Sequence, residues 1–195
     1  MTRRSRADMI EETRGKLLAA ARQAFTEQGY ANTSMDDFTA AVGLTRGALY
    51  HHFGGKEGLL AALVRVLDAE MDARLEAISA TATDAWEGFR GRCRAYLAMA
   101  QEADIRRILL QDAPAVLGMA AALNEEACVE SLDAQLEALM AAGLVESGPS
   151  RALARLINGS LDDAALWIAA GEPQDGRLEQ SLEALDLLLR GLRRG

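Results

Sequence analysis

Four side chains between Thr45 and Phe53, in the run TRGALYHHF, could make directed polar contacts: Arg46, Tyr50, His51 and His52. On a helix, Leu49 and Phe53 lie one turn apart and face a core. That turns Arg46, Gly47, Tyr50 and His51 to the opposite, exposed side. An exposed tyrosine beside an arginine and a histidine has no stabilising job of its own. In a DNA major groove each has one, because arginine pairs its N–H groups with guanine, while tyrosine and histidine reach phosphates or base edges. Gly47 costs about 1 kcal/mol relative to alanine inside a helix. Close approach of the backbone to DNA is a reason to tolerate that cost. The bland alternative is a helical hairpin with a polar face.

Such a helix has to be held by its neighbours. The stretch TSMDDFTAAVGLTRGALYHHF (33–53) reads as two short helices joined by a turn, a helix-turn-helix in which Gly43 supplies the residue tolerant of positive φ. Phe38, Val42, Leu44 and Leu49 are placed to join the two helices, and Ala40 and Ala41 permit close approach. Thr33 is expected to cap the first of the pair, with Asp36 at the favourable end of its dipole, and Thr45 to cap the second. A helix over Thr13–Gln28 precedes them, with Leu17, Ala21 and Phe25 on one face and Gly29 as its stop. These three helices are too small for a robust core. The long helix predicted over 56–80 must therefore serve as both connector and core partner.

Beyond it, helices are expected near 84–102, 104–112, 115–142, 150–170 and 177–192. Apolar residues make up 50% of the 195-residue chain and aromatics only 5%. Abundant Ala, Leu, Arg and Glu favour helix, so the fold class is all-α with about nine helices. The net charge of −8 is uneven. Residues 1–60 hold eight of the 21 Lys/Arg and seven of the 29 acids, which leaves a near-neutral head on an acidic body. Arg3, Arg4 and Arg6 form either an arm reaching a groove or a solubilising tail.

Cys93 and Cys128 have no metal-ligand spacing and read as small buried hydrophobes of a reduced, cytoplasmic protein. No apolar run approaches the roughly 18 residues of a membrane span, and the polar N-terminus lacks a signal peptide's apolar stretch. No enzyme is expected. The only histidines are His51 and His52, and the sequence offers neither a Ser/His/Asp set nor a phosphate-cradling glycine loop. No cofactor or metal is expected either.

The run from Thr33 through GLTRGALYHHFGGKEGLL, with LLAAARQAFTEQGY before it, resembles the DNA-binding domain of the TetR (tetracycline-repressor-like) family over about residues 13–62. The resemblance implies three DNA-binding helices over 1–55 and a helical ligand-binding and dimerisation domain over 56–195. It further implies phosphate contacts from Thr33, Ser34 and Lys56, and a recognition surface of Thr45, Arg46, Gly47, Tyr50 and His51. Departures are small. Thr39 and Val42 stand where the family usually has alanine. Gly54-Gly55 replaces proline-serine, so the fourth helix starts without its usual side-chain cap.

In the body, Leu178, Leu182, Leu185, Leu189 and Leu192 recur at spacings of four and three, a heptad seam. Leu187 and Leu188 add a second apolar side, so one stripe can pack on the protein's own core and the other needs a partner. Helix 150–170 offers Leu153, Leu156, Ile157, Leu161, Ala164 and Ile168. The resemblance implies that these two helices make a homodimer interface. A symmetric dimer placing two recognition helices about 34–36 Å apart implies a palindromic operator on double-stranded DNA.

The resemblance also places a small-molecule pocket in the body, with Trp86, Phe89, Cys93, Tyr96, Leu110, Met119 and Trp167 as plausible lining. No buried charge can be assigned there. In ILLQDAPAVLG (108–118), Asp112 is expected to cap the next helix and Pro114 to fix a bend. The function expected is a ligand-responsive repressor, released from its operator by a small-molecule inducer. The rival is a helical ligand-binding or scaffold protein with a vestigial DNA-binding head.

Overall fold

Ser5 opens the first helix rather than Thr13. In the computed structural model, which describes residues 5–41, 43–118 and 125–194, the Ser5 hydroxyl accepts from the Asp8 N–H at 3.1 Å. The Asp8 carboxylate accepts from the Ser5 N–H at 2.9 Å. This reciprocal box starts α1 (Arg6–Gln28) two turns earlier than expected. Gly29, at φ 80, ends it. Next come α2 (Met35–Ala41), α3 (Arg46–Phe53) and α4 (Lys56–Thr81), then α5 (Ala85–Met99). The body is completed by a π-helix (Ile105–Asp112), α6 (Ala113–Leu117), α7 (Glu125–Ala141), α8 (Ser150–Ala170) and α9 (Arg177–Arg190). Among the described residues these are nine α-helices and no strand; a lone bridge joins Val145 to Arg193.

Two departures from the expected helices fall together. Within the segment expected over 104–112, Ile105–Asp112 is a π-helix, and the Ala113 N–H donates five residues back, to the Ile108 carbonyl. Pro114 lacks an N–H and would crowd the Leu110 carbonyl in an uninterrupted α-ladder, which disfavours that geometry here. The helix expected over 115–142 is also divided. Gly118, at φ 84, closes α6, and α7 begins at Glu125.

Two apolar clusters make the core. The first unites Leu17, Ala21 and Phe25 of α1, Phe38 of α2 and Leu49 of α3 with the inner face of α4 and Ile105, Ile108 and Leu109 of the π-helix. The head thus has no core of its own, and α4 carries buried residues from Leu59 through Leu75. The second cluster joins α5, α7, α8 and α9 around Phe89, Leu97, Leu136 and Leu161. Asp186 of α9 ties that layer to α5, accepting from both Nε and Nη2 of Arg90 at 2.8 Å and from Arg94 at 2.7 Å. The fork-like pairing with Arg90, foremost among these contacts, holds its carboxyl below the ordinary carboxylate range.

The heptad seam belongs to this core. Leu161, Ile168, Leu185 and Leu189 are buried within the protomer, while Leu153, Ile157, Ala164, Leu178, Leu182 and Leu192 are partly buried against the same cluster. Of the residues assigned to the dimer interface only Leu156 is open, at 69% exposure, and Leu187 and Leu188 are similarly exposed at 64% and 63%. For Leu161, Ile168, Leu185 and Leu189 the cause is simple: a heptad stripe marks a helix's most apolar face, and each helix first needs that face for its own protomer.

Candidate functional site

The α2–α3 turn is built as its sequence demands. Gly43 sits at φ 67, and its two neighbours on the helices, Phe38 and Leu49, are buried at 6% and 0% exposure. Leu44 and Phe53 pack on the same core. Ala40 and Ala41 are exposed, so they do not form the close crossing expected of them; Val42 lies outside the described residues. Thr39 is buried instead and returns its hydroxyl to the Met35 carbonyl at 2.8 Å. Thr45 caps α3, accepting from the Ala48 N–H at 3.2 Å.

With Leu49 fixed inward, Arg46, Gly47, Tyr50 and His51 are all exposed. The Arg46 guanidinium stands 5.7 Å from the Tyr50 ring centroid and 3.4 Å from the Asp36 carboxylate, which steadies it at the surface. His51 and His52 meet edge-to-face at 5.4 Å. A Cβ built on Gly47 would meet only the Thr45 hydroxyl, at an ordinary 3.7 Å. Nothing inside the protein therefore requires glycine there. The contrast is Gly58, whose added Cβ would fall 1.8 Å from the Phe53 carbonyl oxygen; this glycine lets α3 lie directly on α4.

The residues matched to phosphate contacts are placed differently from one another. Ser34 is exposed and accepts from the Asp37 N–H at 3.4 Å, so it, not Thr33, caps α2. Thr33 is buried and donates its hydroxyl to the Gly29 carbonyl at 2.8 Å. Lys56 opens α4 with its ammonium 4.4 Å from the Tyr30 ring centroid. Partial burial lowers its pKa, while the nearby Asp112 works the other way. Gly55 gives α4 no side-chain cap, leaving its first N–H groups open. Of the N-terminal arginines, Arg3 and Arg4 lie outside the described residues.

Head and body are joined by polar clamps as well as by the shared core. Arg22 of α1 bridges Glu70 of α4 at 2.8 Å and Asp104, at the start of the π-helix, at 2.6 Å. Asp112 does not cap α6; its carboxylate accepts from the Tyr30 N–H at 2.8 Å and from Arg107 at 3.2 Å. From the same π-helix, Arg106 donates to the carbonyls of Ala169 and Gly171 at the end of α8.

A cavity lies beside that π-helix, between it and α4, α5, α7 and α8. Its volume is about 80 Å3. Cys93, Tyr96 and Leu110 are among its lining residues. Trp86 and Phe89 do not; at 3% and 1% exposure they are buried in the second apolar cluster. Trp167 is 44% exposed on the outside of α8, with the Arg177 guanidinium 5.2 Å from its ring centroid. Met119 lies outside the described residues.

The cavity's polar lining, unassigned from sequence, is Asp68, Asp72, Arg92, Asn158 and Asp162, with Cys128. Its one sequence signal was Asp68 and Asp72, two acids one turn apart inside the apolar run of α4. Burial lifts the Asp68 carboxyl to about 6, with Asp72 adding to the effect. Burial also pushes the thiols of Cys93 and Cys128 up, to about 12 and about 11. They are unreactive thiols at neutral pH.

The comparisons with known proteins converge. Residues 17–63 match the family described as "Bacterial regulatory proteins, tetR family", and residues 86–192 match "Tetracyclin repressor-like, C-terminal domain". A TetR-family transcriptional regulator from Pectobacterium atrosepticum, solved by crystallography, is 57% identical over 98% of this chain and 99% of its own, with a TM-score of 0.89. The chain belongs to the TetR family of bacterial transcriptional regulators. Among curated relatives, the regulator TtgR of Pseudomonas putida is 39% identical over 37% of this chain. The repressor AcnR of Corynebacterium glutamicum is 41% identical over 33% of it. The aligned part spans about a third of these relatives, 34% of each. Among the described residues no helix is long and apolar enough to cross a membrane.

Proposed function

We infer that this regulator is a repressor that binds a palindromic operator as a homodimer and leaves it when a small molecule fills the cavity of the body. The observation that carries the reading is the outward face of α3. Arg46, Tyr50 and His51 stand exposed around a glycine that no internal contact requires. In this reading Arg46 reads a base edge, Tyr50 and His51 reach bases or phosphates, and Ser34 and Thr45 contact phosphates at two helix starts. Lys56 adds charge at the open N-terminus of α4. Residues 1–55 form the reading head and 56–195 the sensing and dimerising body. Repression, rather than activation, agrees with the naming of AcnR as a repressor.

The dimer is built through the outer faces of α8 and α9. Leu156 and Trp167 of α8 and Leu187 and Leu188 of α9 are large apolar side chains left in solvent by the single protomer. Two copies related by a two-fold axis cover them and set the heads on successive major grooves.

Release runs through the π-helix and α4. Ile105, Leu109 and Leu110 wall the cavity, while Asp104 and Asp112 at the two ends of the same π-helix grip Arg22 and the Tyr30 N–H of the head. A ligand that displaces this helix alters the angle of both heads. A hundredfold loss of operator affinity takes about 2.7 kcal/mol of differential ligand binding.

The test is a gel-shift with the DNA upstream of the protein's own coding region. A salt-sensitive, specific complex is expected. Failure to bind any genomic fragment at low salt would favour the rival reading, a helical ligand-binding protein that retains the head without using it.

A further inference from the structure

We propose that the cavity takes a small organic cation, a protonated amine or quaternary ammonium group on a compact apolar body. This rests on reading the cavity as the inducer site. Its walls divide into two kinds. Met71, Leu75, Leu109 and Leu132 give an apolar surface, and Asp68, Asp72 and Asp162 give three carboxyl groups. Arg92 is the one cation among the described lining residues, so with all groups ionised the wall carries a net negative charge.

The carboxyl groups are not equivalent. Asp162 accepts from the Tyr96 hydroxyl at 2.7 Å and from Asn158 Nδ2 at 2.8 Å. Asn158 is itself buried at 6% exposure, so Asp162 is held in one orientation by a built polar frame. Among the described residues, Asp68 has no side chain donating to it and no cation paired with it. Asp72, one turn along α4, lines the same cavity and is solvent-exposed. A carboxyl group in partial burial beside another carboxyl raises the cost of its own charge, and a bound cation removes that cost.

Other ligand classes fit less well. An anion would meet three carboxyl groups and a single guanidinium. A metal ion lacks a site, since no cluster of three or more His, Cys, Asp or Glu among the described residues could hold one. The space of about 80 Å3 exceeds the roughly 10–15 Å3 that seats one water, which admits an ammonium and part of a ring, with the remainder at the open side.

The test compares benzylamine, benzyl alcohol and benzoate, which share a ring and differ in charge. Binding to the full-length protein is measured by calorimetry at pH 7.5, with circular dichroism melts to confirm folding. Benzylamine is expected to bind at least tenfold more tightly than the other two. Asp68→Asn should cut that preference several-fold, Asp72→Asn less, and Arg92→Gln should increase it. Arg92→Gln leaves Asp68 in place, so it still reports if Asp68→Asn fails to fold. Tighter binding of benzoate, no binding of any of the three, or a preference untouched by all three variants would overturn the proposal. DNA binding measured on the same preparations separates the two readings. Intact DNA binding without amine preference removes the ligand class alone, and absent DNA binding removes the proposed function.

Discussion

The outward face of α3 and the cavity differ in how many stretches of chain supply them. Arg46, Gly47, Tyr50 and His51 come from a single eight-residue helix, whereas the cavity's polar lining comes from α4, α5, α7 and α8. The face is oriented by a cap at Thr45, a turn at Gly43 and one leucine buried in the core that α3 shares with α1 and α4. The cavity exists only once long helices have packed. The difference also separates the two kinds of mutation that should affect each region, because a face can lose function without losing stability.

The largest effect expected concerns the outer stripe of the body. Replacing Leu187 and Leu188 together with glutamate should convert a dimer to a monomer while the protomer's melting temperature changes little, checked by analytical ultracentrifugation. A dimer that survives would move the interface elsewhere. Within the head, Leu49→Ala should cost about 2–5 kcal/mol of stability because its side chain is fully buried. Tyr50→Ala, half exposed next to it, should stay within about 0.5 kcal/mol of wild type yet weaken DNA binding. Denaturant melts paired with gel-shifts would show both, and similar stability losses for the two would deny that α3 has an inner and an outer side.

Arg46→Ala should cost roughly 1–3 kcal/mol on the correct site and relax preference at one base position. Lys56→Ala should weaken binding to all sequences and lower the salt slope by about 1. Equal losses on operator and random DNA for Arg46→Ala would count against direct readout by that residue. Gly47→Ala sharpens the same point. It should stabilise the free protein by up to about 1 kcal/mol, since its Cβ has room, and at the same time weaken DNA binding.

The smallest effect belongs to the cavity. Asp68 faces Asp72 from its own helix, Arg92, Cys93 and Tyr96 from α5, Cys128 from α7 and Asp162 from α8. Its carboxyl titrates at about 6 in the folded protein, above the roughly 3.9 of an unfolded chain. Ionised Asp68 therefore weakens the fold, fully above pH 6, fading as pH falls toward 4 and absent below. Asp68→Asn should raise stability at pH 8 by about 1 kcal/mol, allowing for the side chain's partial exposure, and leave it unchanged near pH 4.

What the sequence made legible follows the same division. The α2–α3 pair, its glycine turn, its core leucine and its outward face depend on neighbours within about ten residues, and those periodicities could be read directly. Thr33 shows where the reading stopped. A threonine before a helix is a good cap, but only the packed structure reveals that its hydroxyl is already committed to Gly29. Leu185 and Leu189 make the same lesson on a larger scale, since a heptad seam announces burial without saying whether the partner is the same chain or a second copy. Asp68, Asn158 and Asp162 were hidden for a deeper reason. They lie up to 94 positions apart and share a cavity only through helix packing. The π-helix was similarly invisible, because its residues are ordinary helix formers and only Pro114 hints at a changed ladder.

The central claim, that two copies of the α3 face read a symmetric operator, is tested most directly by sequencing the DNA that the purified protein retains from a random pool. The account predicts an inverted repeat whose half-sites lie one helical turn, about 10–10.5 bp, or a whole multiple of it apart, lost when Arg46 and Tyr50 are both replaced by alanine. Enrichment of a single unpaired half-site, or the same inverted repeat retained by that double variant, would contradict it.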